Sequence, residues 1–157
     1  MILDALILQS KLFLSEDMDI NIDQVDIADN SPDKLILKDY TSMIGTGGTL
    51  NLMVTISFDA TFLEHLVNLF MEGEEVEDDE KEEIYDSVCG ETINTIIGLA
   101  LPTFPNRGKG VTITPPITLS DASNIKKFRN SKIVTANIVT QYGNMSISAM
   151  GNSDSIK

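Results

Sequence analysis

Ser87, Glu91, Asn94 and Gly98 follow one another at helical intervals, and at roughly 100° per residue a helix gathers them within an arc of about 60°. Around this strip the segment 79–101 is apolar, with Ile84, Val88, Cys89, Ile93, Ile96, Ile97, Ala100 and Leu101 spread over well more than half of the circumference. Such a helix lies mostly inside its domain. A carboxylate and a carboxamide one turn apart on its main polar strip are either hydrogen-bonded internally or face out through a gap. Spacing alone leaves both open.

Other chemistry-bearing residues point to structural roles. His65 falls in a helical pattern with no Cys, Asp or Ser arrangement beside it that suggests a triad or a metal site. Cys89 is the single cysteine; it cannot form an internal disulfide, no zinc-type Cys/His spacing exists, and it reads as a small core residue in a reducing cytosol. Gly45, Gly47, Gly48, Gly108 and Gly110 lack the Gly-x-x-x-x-Gly-Lys-Ser/Thr context of a phosphate loop and are expected to be turn residues.

Charge narrows the partners. The net charge of −13 argues against non-specific binding to nucleic acid or anionic membrane, which needs cationic surface. Most of it is local: residues 72–83 hold nine acids and one lysine. The run lacks the glycine and spacing of an EF-hand loop; it reads as a solvated helix entry that could steer a basic partner.

The elements that must position the strip follow from periodicity. Residues 1–14 form an amphipathic helix, with Ile2, Leu6 and Phe13 on one face, Leu3, Ala5, Ile7, Leu8 and Leu12 widening it, and Asp4 and Lys11 opposite. Asp4, Gln9, Ser10 and Lys11 interrupt the apolar stretch, which is too short to span a bilayer and has no basic residues before it, so neither signal nor anchor is expected. Strand patterns run over 34–39 and 43–44, then a Gly45-Thr46-Gly47-Gly48 turn and an alternating strand over 49–58. Asp59 or Thr61 can cap a helix through Phe62, Leu63, Leu66, Val67, Leu69 and Phe70 that stops near Gly73.

Asp79 with Glu82 resembles a capping box for the helix that carries the strip, which should end near Leu101, before Pro102. After a loop over 102–110 come β-rich stretches at 111–119, 132–141 and 145–150, separated by the polar segment 120–130 and by Tyr142-Gly143-Asn144. The order of helix, hairpin, two helices and three strands predicts an α+β fold, a mainly antiparallel sheet covered by helices. At 157 residues and 42% apolar content, one domain over 1–157 is expected.

Gly90-Glu91-Thr92-Ile93-Asn94-Thr95-Ile96-Ile97-Gly98, with Ser87 four residues before the Glu, resembles the Glu-x-x-Asn helix of the CheC/CheX/FliY phosphatases. Val111-Thr112-Ile113-Thr114-Pro115-Pro116 is similar to the strand reaching a proline that follows this helix in the family. Gly45-Thr46-Gly47-Gly48, the alternating strand and the next helix are similar too. The resemblance covers about residues 43–150, and N-terminal to that only the first helix is similar. A single Glu-x-x-Asn is present where CheC proteins carry two, which favours the CheX type.

The resemblance implies a CheC/CheX-like fold and hydrolysis of the aspartyl phosphate of a CheY-like response regulator. In the family the Asn orients the attacking water and the Glu pairs with the regulator's phosphate-contacting lysine. Glu91 and Asn94 are thus the implied catalytic residues, with Ser87 and Gly98 at the partner-binding surface. No cofactor is implied in this chain, the Mg2+ ion belonging to the partner response regulator. A cytoplasmic homodimer is implied as well. The alternative is a non-catalytic CheC/FliM-like interaction module in chemotaxis or flagellar-switch signalling.

Overall fold

A computed structural model of the chain describes residues 2–28 and 32–156. Met1, at the head of the predicted first helix, lies outside them. Helix α1, Ile2–Leu12, passes into a π-helical turn, Phe13–Asp17, closed by the Met18 amide donating to the Phe13 carbonyl at 3.0 Å. Ile2, Leu6, Ser10, Phe13 and Leu14 are buried, whereas Leu8 is 51% exposed and Leu12 37%. The buried stripe is therefore narrower than the apolar content suggests, because residues 8 and 12 rotate off the line through 2, 6 and 13.

Among the described residues nine strands follow: β1 Gln24–Ile27, β2 Lys34–Ile36, β3 Tyr40–Gly48, β4 Leu52–Phe58, β5 Val111–Ile113, β6 Ile117–Leu119, β7 Asn124–Lys126, β8 Ser131–Thr140 and β9 Gly143–Asn152. The main sheet is ordered β1-β8-β9-β4-β3-β5, with β6 also paired to β3; β2 and β7 form a separate ribbon. Every pairing is antiparallel. The fold is α+β, as the pattern predicts.

Alternation decides which face the helices cover. Val54, Ile56 and Phe58 stand opposite Ala149, Ile147 and Met145 in the register of β4 and β9, and all six are buried in the cluster that includes the helices. Their neighbours Thr55, Ser57, Ser146 and Ser148 point the other way. There Thr41 and Ser57 hydroxyls meet at 2.8 Å, and Thr135 and Ser148 at 2.7 Å. A smaller cluster of Leu35, Leu37, Ile133 and Met150 packs on that second face.

Helix α2, Ala60–Phe70, and helix α3, Lys81–Ala100, complete the helical layer; α3 packs against α1, α2, β3, β4 and β6. Asp59 occupies the cap position of α2 but its Oδ2 accepts from the Asn144 amide at 2.7 Å, tying the helix start to the β8–β9 turn. Asp39 takes over the capping task, its Oδ2 accepting from the Ala60 amide at 2.7 Å. The capping box expected at Asp79 and Glu82 does not form: Glu80 is the N-cap and makes no side-chain cap bond. An exposed helix end can leave its first amides to water.

Three further expectations are corrected. The glycine run is not the hairpin turn: β3 continues through Gly48, and residues 49–51 connect it to β4. The cause is β5, which lies along Thr46–Gly48; a Cβ on Gly48 (φ +81°) would stand 2.1 Å from the Gly110 carbonyl oxygen. Only glycine permits both that φ and that approach. The stretch 111–119 is two strands, because Thr114-Pro115-Pro116 interrupts pairing. The polar segment 120–130 contains β7, which pairs β2, and β1 arises where no strand pattern was visible.

Candidate functional site

Helix α3 is buried on most of its circumference, through Tyr85, Val88, Cys89, Gly90, Thr92, Ile93, Ile96, Ile97 and Ala100. The Thr92 hydroxyl satisfies itself by donating to the Val88 carbonyl at 2.7 Å. Ser87, Glu91, Asn94 and Gly98 are all exposed. The two fates left open by spacing are thereby decided: among the described residues neither the Glu91 nor the Asn94 side chain has a hydrogen-bond partner. A Cβ at Gly98 would meet nothing within 4 Å, so that position faces open space.

Glu91 and Asn94 line an open groove of about 510 Å3 together with Asp86, Ser87, Gly90, Pro116 and Thr118. One wall is α3. The other is the segment entering β6, held to β3 by the Gly45 amide donating to Thr114 Oγ1 and the Thr114 amide donating to the Gly45 carbonyl, both at 2.9 Å. The walls touch at Gly90, where an added Cβ would lie 3.3 Å from Pro116 Cγ. The proline that the sequence places some twenty residues beyond the Glu-x-x-Asn pair thus stands beside it in space.

Sequence reasoning missed Asp86, Thr118 and the close approach at Gly90, which it quoted only as part of the helical motif. A glycine inside a strongly helical segment is itself a signal of close approach and could have found Gly90; nothing local distinguishes Asp86 or Thr118. The Asp86 carboxyl is held above the usual aspartate range by desolvation and, second, by Glu82.

The buried face of α3 offers no nucleophile. Burial, and then the charge of Asp86, push the Cys89 thiol up to about 12, so it remains a protonated core group at neutral pH. Tyr40 and Tyr85 meet edge to face with centroids 5.6 Å apart, and burial raises both phenols above their ordinary range. His65 stacks on Tyr142 at a centroid distance of 3.5 Å, joining α2 to the turn between β8 and β9. Among the described residues no three His, Cys, Asp or Glu side chains are placed to hold a metal ion, and no helix is long and apolar enough to cross a membrane.

The arrangement can present a carboxylate and a neutral amide to a docked macromolecule. A family model described as chemotaxis phosphatase CheX matches residues 40–138, a span holding β3, α3 and β6. Among solved structures, a chemotaxis protein CheX from Desulfovibrio desulfuricans is 18% identical, with 94% of this chain and 97% of that chain covered and a TM-score of 0.76. CheX from Vibrio vulnificus is 17% identical over 94% and 97%, with a TM-score of 0.74. The CheX-CheY-BeF3-Mg2+ complex from Borrelia burgdorferi is 16% identical over 96% and 97%, with a TM-score of 0.69. At these identities the likeness is one of fold. No curated protein matches the chain.

Proposed function

The chain belongs to the CheX family, and on that premise we propose that it hydrolyses the aspartyl phosphate of a CheY-like response regulator. The observation that carries this reading is the placement of Glu91 and Asn94: exposed, one turn apart, without internal partners, on a helix buried over most of its circumference. Facing water and free of internal hydrogen bonds, the carboxylate and the carboxamide are available to a partner.

An aspartyl phosphate is an acyl phosphate, so its hydrolysis needs no strong nucleophile from the phosphatase. Water must be held in line with the scissile P–O bond. Asn94 does this in our reading, since its amide can donate to and accept from the same water. Water's oxygen bonds to phosphorus as the P–O bond to the regulator's carboxyl breaks, the carboxylate keeps that bond's electron pair, and water's protons depart with inorganic phosphate. Glu91 pairs with the lysine that contacts the phosphate in the regulator, which sets the docking register. Ser87 and Gly98 border this contact. The Mg2+ ion of the scheme resides in the regulator and offsets charge on the phosphoryl group.

The test is to phosphorylate a CheY-like regulator from the same organism and follow phosphate loss with wild type and with Asn94→Ala. Misplacing the water is expected to slow decay about a hundredfold. Equal decay rates in the two samples would remove Asn94 from catalysis and leave the non-catalytic interaction module as the better reading.

A further inference from the structure

On the side of Glu91 away from Pro116 lies a second depression of about 330 Å3, lined by Phe70, Met71, Ile84, Ser87, Val88 and Glu91. Resting on the reading above, we propose that this notch receives a large apolar side chain presented by a basic surface of the response regulator. It is the second anchor of the docked complex and sets affinity without touching the reacting atoms.

The composition of the notch points to an apolar occupant. Phe70 and Met71 come from the end of α2, Ile84 and Val88 from successive turns of α3, and only the Ser87 and Glu91 side chains bring polar atoms to it. Its floor is stiff. Val88 belongs to the buried core, Phe70, Met71 and Ile84 pack against that core, and the Phe70 ring rests on Phe13 with centroids 6.5 Å apart. A preformed apolar recess loses little entropy when filled.

The charge around it points to a basic surface. The connection from α2 to α3 and the first turn of α3 together carry the nine acids of residues 72–83, with Glu72 directly after Met71 and Glu83 directly before Ile84. Lys81, the lone cation of that run, stands 5.3 Å over the Tyr85 ring and lines a different depression. An apolar recess at the edge of so acidic a collar disfavours an acidic or neutral lipid-like occupant and favours an apolar side chain flanked by lysine or arginine.

Continuity with the groove selects the regulator over other basic proteins. Ser87 and Glu91 line both depressions, so a partner whose lysine reaches Glu91 necessarily lays adjoining surface over the notch. Contacts there are equally present before and during water attack. They lower KM and leave kcat unchanged.

The test separates docking from catalysis by measuring binding alone. The same organism's CheY-like regulator, activated with beryllofluoride and Mg2+, is titrated calorimetrically into wild type, Asn94→Ala, Met71→Lys, Ile84→Lys and Met71→Leu, each shown to be folded by its circular dichroism and melting. Both lysine variants are expected to bind about tenfold more weakly, with Met71→Leu close to wild type. Wild-type affinity is also expected to fall as salt screens the acidic collar. Affinities of Met71→Lys and Ile84→Lys within twofold of wild type would overturn the inference, including any case in which they alter only self-association. If Asn94→Ala binds like wild type and the lysine variants bind weakly, the docking notch stands even where no hydrolysis is found. Absence of binding by wild type would overturn both the notch and the phosphatase reading.

Discussion

Gly90 and Pro116 meet across the groove, with 3.3 Å between Pro116 Cγ and the place where a Cβ on residue 90 would stand. Glycine inside a helix is about 1 kcal/mol less favourable than alanine. Gly90 is buried mid-helix, so its small size is what lets the segment entering β6 close on α3 and form the wall opposite Glu91 and Asn94.

Substitution at Gly90 should therefore separate stability from activity. In Gly90→Ala the gain in helix propensity is offset by a contact that Pro116 must relieve by a few tenths of an ångström, and melting should change by less than about 1 kcal/mol. Gly90→Val pushes the proline further out and should slow regulator dephosphorylation about tenfold or more while the protein still melts cooperatively. Full activity in Gly90→Val would show that the Pro116 wall plays no part in the site.

Reversing charge at Glu91 tests the docking pair. Glu91→Lys sets a cation against the regulator's lysine and should weaken binding to the activated regulator by about tenfold or more, with Glu91→Gln intermediate. Because the site is exposed, the wild-type advantage should shrink at high salt. Identical affinities for wild type and Glu91→Lys at low salt would sink the ion-pair assignment.

Asp86 predicts a pH-dependent stability difference. Its carboxyl is raised above 3.8 in the folded chain, so the folded state holds the proton more tightly than the unfolded state. Above the raised value the ionised group burdens the fold, and below 3.8 both states are protonated and the burden is gone. Asp86→Asn should thus melt slightly higher than wild type at pH 7, and the difference should close as pH falls below 3.8. A difference that persists or grows in acid contradicts the desolvation account.

Cys89 should be chemically silent in the native state. With the side chain fully buried and the thiol pushed up to about 12, an aromatic disulfide reagent at pH 8 should titrate less than about a tenth of a thiol per chain within minutes, and one full equivalent in denaturant. Rapid reaction of the folded protein would mean that α3 opens far more often than its packing implies.

Much of the site was legible in the chain because a single helix carries it. Twenty residues of 3.6-fold periodicity suffice to show that Ser87, Glu91, Asn94 and Gly98 share a strip on an otherwise apolar helix, and the alternation at Leu52, Val54, Ile56 and Phe58 likewise announces a strand with one buried face. These signals are local; the helical strip and the strand were realised, but the strand is buried on both faces, because Leu35, Leu37, Ile133 and Met150 pack on its second side. The outward orientation of Glu91 and Asn94 was not among them, since spacing is the same for an internal hydrogen bond and for an exposed pair.

Tertiary structure decided whatever depends on partners distant in sequence. Gly45-Thr46-Gly47-Gly48 has the composition of a turn, yet it is strand because β5, more than sixty residues on, lies against it and needs the absence of side chains. β1 and β7 are four and three residues long, too short to display a period of their own. They exist because a neighbouring strand supplies the hydrogen bonds. The groove has the same origin: the sequence specifies a helix with a polar strip, and only the packing of Pro116 on Gly90 and of α2 on α3 turns that strip into a ridge between a polar groove and an apolar notch.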